Sequence, residues 1–92
     1  MTTINFLDKW TSKGINTHHC RKYFLNGETV RIDKTLNGAG GFYSVYKVNQ
    51  YGFSVTIPVK GMNYWGDGWN WKKAVKFVAE NVDQTLLRGS KP

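Results

Sequence analysis

Between Tyr51 and Val59 every second residue is apolar: Tyr51, Phe53, Val55, Ile57 and Val59 alternate with Gly52, Ser54, Thr56 and Pro58. Successive side chains of an extended chain point to opposite faces, so this run predicts a half-buried β-strand rather than a helix. Pro58 has no N–H for a ladder, which puts the far end of the strand at a sheet edge. Farther along, the period changes. Trp71, Val75, Val78, Val82 and Leu86 recur at helical spacing, with Ala74 and Ala79 at the margins. Lys72, Lys73, Lys76, Glu80 and Asp83 take the opposite side, and Phe77 falls among them as a misfit. Asn70 is the expected N-cap and Arg88-Gly89 the expected stop, leaving residues 88–92 as a loose tail.

The remaining elements follow from the same two periods. Ile4, Leu7 and Trp10 stand at helical spacing within Thr3–Lys13, with Phe6 broadening the stripe and Gly14 as a stop, which predicts an N-terminal helix. Tyr23 to Leu25 and Val30 to Ile32 flank Asn26-Gly27, a strong short hairpin signal. Phe42 to Val48 reads as a further strand, joined to the next by the turn Asn49-Gln50-Tyr51-Gly52, and glycine-rich Thr35 to Gly41 reads as a loop. The expected class is α+β: an antiparallel three- or four-stranded sheet with an N-terminal and a C-terminal helix on one face, in the order α-β-β-β(-β)-α.

A chain of 92 residues is expected to form one domain over 1–92. Folding at that size buries about 60–65% of the unfolded surface. Thirteen Lys and Arg against six Asp and Glu give a net charge of +7, which favours polyanionic partners. Cys20 is the single cysteine, no run is apolar enough to span a bilayer, and Met-Thr-Thr-Ile-Asn does not resemble an export signal. These features suit a soluble protein of a reducing cytoplasm, with no membrane association.

Catalytic chemistry finds little support. The carboxylates are scattered, with no pair spaced for general acid and base work. His18, His19 and Cys20 are adjacent, and on an extended chain neighbours face opposite ways, so they do not read as a metal site or a Cys/His nucleophile. Asn37-Gly38-Ala39-Gly40-Gly41 lacks the lysine and hydroxyl of a phosphate loop and precedes a strand rather than a helix. No enzyme activity, cofactor or metal is expected.

The lysines opening the C-terminal helix are the sharper feature. A helix N-terminus carries about half a positive charge, so Lys72 and Lys73 in its first turn work against helix stability. Together with Lys76 and the free backbone N–H groups they make an anion site, although three exposed lysines can also be a plain solvated face. The run Gly66-Asp67-Gly68-Trp69-Asn70-Trp71-Lys72-Lys73-Ala74-Val75-Lys76-Phe77-Val78-Ala79 resembles the end of a double-stranded-RNA-binding domain. That family has Gly-x-Gly before Lys-Lys-x-Ala-Lys-x-x-Ala and an α-β-β-β-α order. The resemblance implies that Lys72, Lys73 and Lys76 span phosphates across the major groove. It further implies minor-groove contacts from Asn5, Asp8, Lys9 and Ser12 on the first helix and from the loop Asn37 to Gly41. Departures are plain: Val75 replaces an alanine, the loop lacks Gly-Pro-x-His, helix one lacks an outward glutamate, and Trp65, Trp69 and Trp71 are foreign to the family.

Aromatic residues interleaved with cations are a second nucleic-acid signature, since exposed rings stack unpaired bases. Tyr43, Tyr46 and Lys47 share a strand, while Tyr64, Trp65 and Trp69 lie in the loop around Gly66-Asp67-Gly68; Trp10 and Trp71 read as core. The expected function is a non-enzymatic nucleic-acid-binding module, RNA preferred over DNA. Its phosphate contacts are Lys72, Lys73 and Lys76, helped by Lys9, Lys47 and Lys60, with Trp65 and Trp69 as contact candidates. A reading from another class is an inhibitor that docks on a larger protein, because the short Asn-, Lys- and aromatic-rich chain resembles in style the bacteriophage accessory proteins that antagonise a host nuclease, toxin or defence complex. A three-stranded sheet laid in the DNA major groove is a third reading. An unpaired edge strand leaves a homodimer open.

Overall fold

The computed structural model describes residues 4–15, 17–37, 40–59 and 70–88. Five strands, β1 (Ile4–Lys13), β2 (Thr17–Leu25), β3 (Glu28–Asn37), β4 (Gly40–Val48) and β5 (Ser54–Thr56), pair in sequence order as an antiparallel meander. Helices α1 (Trp71–Asn81) and α2 (Gln84–Arg88) follow. One face of the sheet carries Tyr23, Leu25, Val30, Ile32, Tyr43 and Val45, and these pack with Ile57, Val59, Ala74, Val78, Ala79, Val82 and Leu87.

The expected N-terminal helix is a strand, so the α-β-β-β(-β)-α order and the three- or four-stranded sheet are both corrected. The cause is a bulge. Ile4 pairs with Leu25 and Phe6 with Tyr23, but Asp8 pairs with Lys22, so Leu7 is an extra residue. A bulge of this kind reverses the alternation beyond it. Phe6 therefore lies on the helix-bearing face, edge-to-face with Tyr23 at 5.8 Å, while Trp10 lies opposite Cys20 on the other face. Ile4, Leu7 and Trp10 imitate a helical stripe, but Leu7 is the bulged residue and Ile4 and Trp10 face opposite sides of the sheet.

Three further expectations are revised by hydrogen bonding. Thr35 to Gly41 is not one loop: Thr35, Leu36 and Asn37 pair with Phe42, Gly41 and Gly40. The strand expected over Tyr51–Val59 shrinks to Ser54–Thr56. Asn49 Oδ1 accepts from the N–H groups of Tyr51 and Phe53 at 2.9 and 3.0 Å, and Gly52 takes φ +86, so those residues belong to the turn. Tyr51, Phe53 and Val55 are exposed, and only Ile57 and Val59 of that run are buried. The helical stripe breaks where Val82 turns extended, and Asp83 Oδ1 accepts from Thr85 N–H at 2.9 Å to start α2. That break buries Leu87 in place of Leu86, and Phe77 packs against the core instead of projecting among charges. Arg88 ends α2, and residues 89–92 of the expected tail lie outside the described residues.

Other elements form for the reasons visible in their residues. Asn26 and Gly27 have φ +49 and +86, the doubly positive pair of a type I′ hairpin. Asn70 caps α1, its Oδ1 accepting from Lys73 N–H at 2.9 Å. No helix among the described residues is long and apolar enough to cross a membrane.

Candidate nucleic-acid interface

Alternation along β2 puts Thr17, His19, Arg21, Tyr23 and Leu25 on the helix-bearing face, so a cation shares that face with two core residues. Arg21 reaches Trp71, the first residue of α1, with its guanidinium carbon 4.3 Å from the ring centroid. A cation over a tryptophan face is attracted by about 0.5–1 kcal/mol when exposed, and more when dry. Trp71 is held in turn by an edge-to-face contact with Tyr43 at 5.5 Å. The stack fixes the N-terminal end of α1 against β2.

Two clefts meet at this stack. The larger, about 540 Å³, runs between β2 and α1 and brings Lys72 and Lys76 beside Arg21. The smaller, about 340 Å³, shares Arg21 and Trp71 and extends along the β1 edge to Lys9 and His19. Lys9 and Arg21 are cross-strand partners, since the bulge moved Lys9 onto the helix-bearing face. Four cations thus border two clefts that share Arg21 and Trp71. The first turn of α1 carries no acidic residue to offset them.

The other expected site residues fall elsewhere. Lys73 is exposed on α1 but does not border the groove. Lys47 is paired with Val30 and Val55 near the opposite edge, where it lines a separate cleft with Leu86. Lys60, Trp65 and Trp69 lie outside the described residues. The minor-groove face implied for a first helix does not exist: Asn5, Asp8 and Ser12 lie on a strand, on the face away from Lys9. Arg21 is not among the cations expected from the sequence. Extending the two-residue period back from Leu25 and Tyr23 would have found it.

The far face of the sheet holds a polar cluster that serves folding. Arg31 Nε and a terminal amine donate to the two carboxylate oxygens of Asp33 at 2.7 and 2.8 Å, the strong bidentate arrangement. Asp33 is only 2% exposed. Trp10 and Tyr46 flank the Arg31 guanidinium at 5.4 and 5.3 Å, so Trp10 is a lid on this cluster rather than part of the main core. His18 and Thr35 share a hydrogen bond at 2.9 Å on the same face, whereas His19 faces the other way, toward Thr11. No group of three metal-ligating side chains comes together among the described residues.

Cys20 lies in this cluster, fully buried, and burial above all raises its thiol pKa, with the nearby Asp33 charge adding to the effect and Arg31 opposing it. Burial also raises the Tyr43 phenol. A raised folded-state value means the unfolded chain ionises first. The stability present below the unfolded thiol value of about 8.5 is therefore lost as pH rises above it. Urea midpoints should fall between pH 8 and pH 10, and fall less in Cys20→Ala. Equal drops in both proteins would refute the thiol's share.

No protein-family model matches the chain, and comparison with curated proteins and with solved structures returns no match.

Proposed function

We propose that the chain is a non-enzymatic RNA-binding module of the cytoplasm that grips phosphates along the groove between the β1–β2 edge and α1. The observation that carries this reading is the convergence of Lys9, Arg21, Lys72 and Lys76 on two adjoining clefts around the Arg21–Trp71 stack. These cations come from three separate elements, so their meeting is a property of the fold and not of a single lysine run. Lys72 also occupies a first-turn position where a cation opposes the helix dipole, so local stability does not account for it. The net charge of +7 adds long-range attraction for a polyanion.

Phosphate binding releases counterions, so log affinity should fall linearly with log salt, by about 0.7 per phosphate contacted on a single strand and about 0.9 on a B-form DNA duplex. Four groove cations predict a slope near −3 on single-stranded RNA, by the same rule. Titration of labelled RNA at several salt concentrations measures it. Absence of binding to any RNA at low salt ends the proposal.

The β5 edge favours a second reading. Tyr51, Phe53, Val55 and Leu86 are 75%, 69%, 56% and 45% exposed beside a three-residue edge strand. Exposed apolar side chains beside a strand that is last in the sheet among the described residues suit a protein partner such as a nuclease or toxin, or a second copy of the chain. A stoichiometric partner retained from lysate after ribonuclease treatment would favour that reading over RNA.

A further inference from the structure

The larger cleft is more than a row of cations. Its floor is apolar, with Tyr23 and Val75 facing it, while Arg21, Lys72 and Lys76 stand at its rim and Glu80 joins them. At about 540 Å³ it falls within the roughly 300–1,000 Å³ range of small-ligand clefts. A duplex presents phosphates and groove edges, with its bases paired and stacked away, so an apolar floor beneath cations would serve no purpose for it. An unpaired nucleotide uses both parts. Its phosphate meets the rim and its base enters the cleft beside Arg21, whose guanidinium already lies over Trp71 and offers a surface for stacking.

Glu80 supplies the selectivity. A carboxylate only accepts hydrogen bonds, and no ion pair joins Glu80 to Lys76 or Arg21. Guanine presents two adjacent N–H donors on its pairing edge. Uracil presents one, flanked by carbonyl oxygens that repel a carboxylate. The geometry points to a base pocket in this cleft that receives an unpaired purine, guanine first and uracil last, and so to single-stranded RNA or a looped-out base as the ligand. This inference rests on the RNA-binding reading above.

Anisotropy titrations with four labelled RNAs test it: a twelve-residue uridine strand, the same strand with one central guanosine, the same strand with a central abasic site, and the guanosine strand annealed to its complement. Electrostatics alone would favour the duplex, which carries the denser charge. The pocket instead predicts that the guanosine strand binds at least tenfold more tightly than the duplex, the uridine strand or the abasic strand, with the last two alike. Glu80→Gln, at an exposed position, should bring the guanosine strand to within about threefold of the uridine strand. Val75→Trp, which fills the cleft, should abolish the guanosine preference, provided its melting curve stays cooperative. A duplex that binds as well as the guanosine strand overturns the pocket and leaves the phosphate groove standing. No binding to any of the four overturns both.

Discussion

Replacing Arg31 with methionine is expected to cost about 3 kcal/mol of folding stability, the low end of what is lost when a buried ion pair loses one member. Asp33 is 2% exposed, and both of its carboxylate oxygens are held by the Arg31 guanidinium, at 2.7 and 2.8 Å. Without Arg31 that charge stays buried in the sheet. Arg31 itself keeps 28% side-chain exposure, which places the loss at the lower end. Contacts of the guanidinium with Trp10 and Tyr46 go as well, at about 0.5–1 kcal/mol each where exposed. Small domains have about 5–15 kcal/mol in all, so the variant should unfold at a much lower urea concentration. Arg31→Met combined with Asp33→Leu should regain most of the loss, because removing both charges leaves nothing unpaired. A double variant no more stable than the single one would mean that the ion pair is not what holds this face together.

The second large effect is on binding. Lys72→Glu with Lys76→Glu removes two of the four groove cations and puts two carboxylates in their place. RNA affinity should fall about a hundredfold at moderate salt, and the salt slope should flatten by about 1.4, at about 0.7 per lost contact. Stability should hardly move. Glutamate at position 72 complements the helix dipole and gains about 0.3–1 kcal/mol. Glutamate at position 76 faces Glu80 one turn on and loses about 0.2–0.5 kcal/mol. A variant that binds worse while folding as well separates a binding role from a structural one. Lys47→Glu, near the opposite edge, is the matching control and should cost much less affinity.

Parts of this were legible in the residues because local chemistry decides them. Asn26-Gly27 adopts its turn because two positive φ values suit few other pairs, and Asn70 caps α1 through its own side chain. The misread elements depend on partners distant in sequence. Leu7 is a bulge only because β2 presents one residue fewer between Tyr23 and Lys22. Leu36 and Asn37 enter a ladder with Gly41 and Gly40 because β3 and β4 are already aligned by Ile32 and Val45. The Tyr51–Val59 alternation overstated its strand because one asparagine side chain captured two of its N–H groups. In the groove, Lys72 and Lys76 were visible as a helical pair. Arg21 was not, since its place beside Trp71 needs β2 and α1 packed together.

The groove account is most directly tested by measuring the affinity of wild type and of Lys72→Glu/Lys76→Glu for one labelled single-stranded RNA at two salt concentrations, with a melting curve for each protein. The predicted result is a loss of about a hundredfold and a shallower salt dependence at an unchanged melting temperature. Undiminished binding by a fully folded variant would contradict it and place the RNA, if bound at all, on another face.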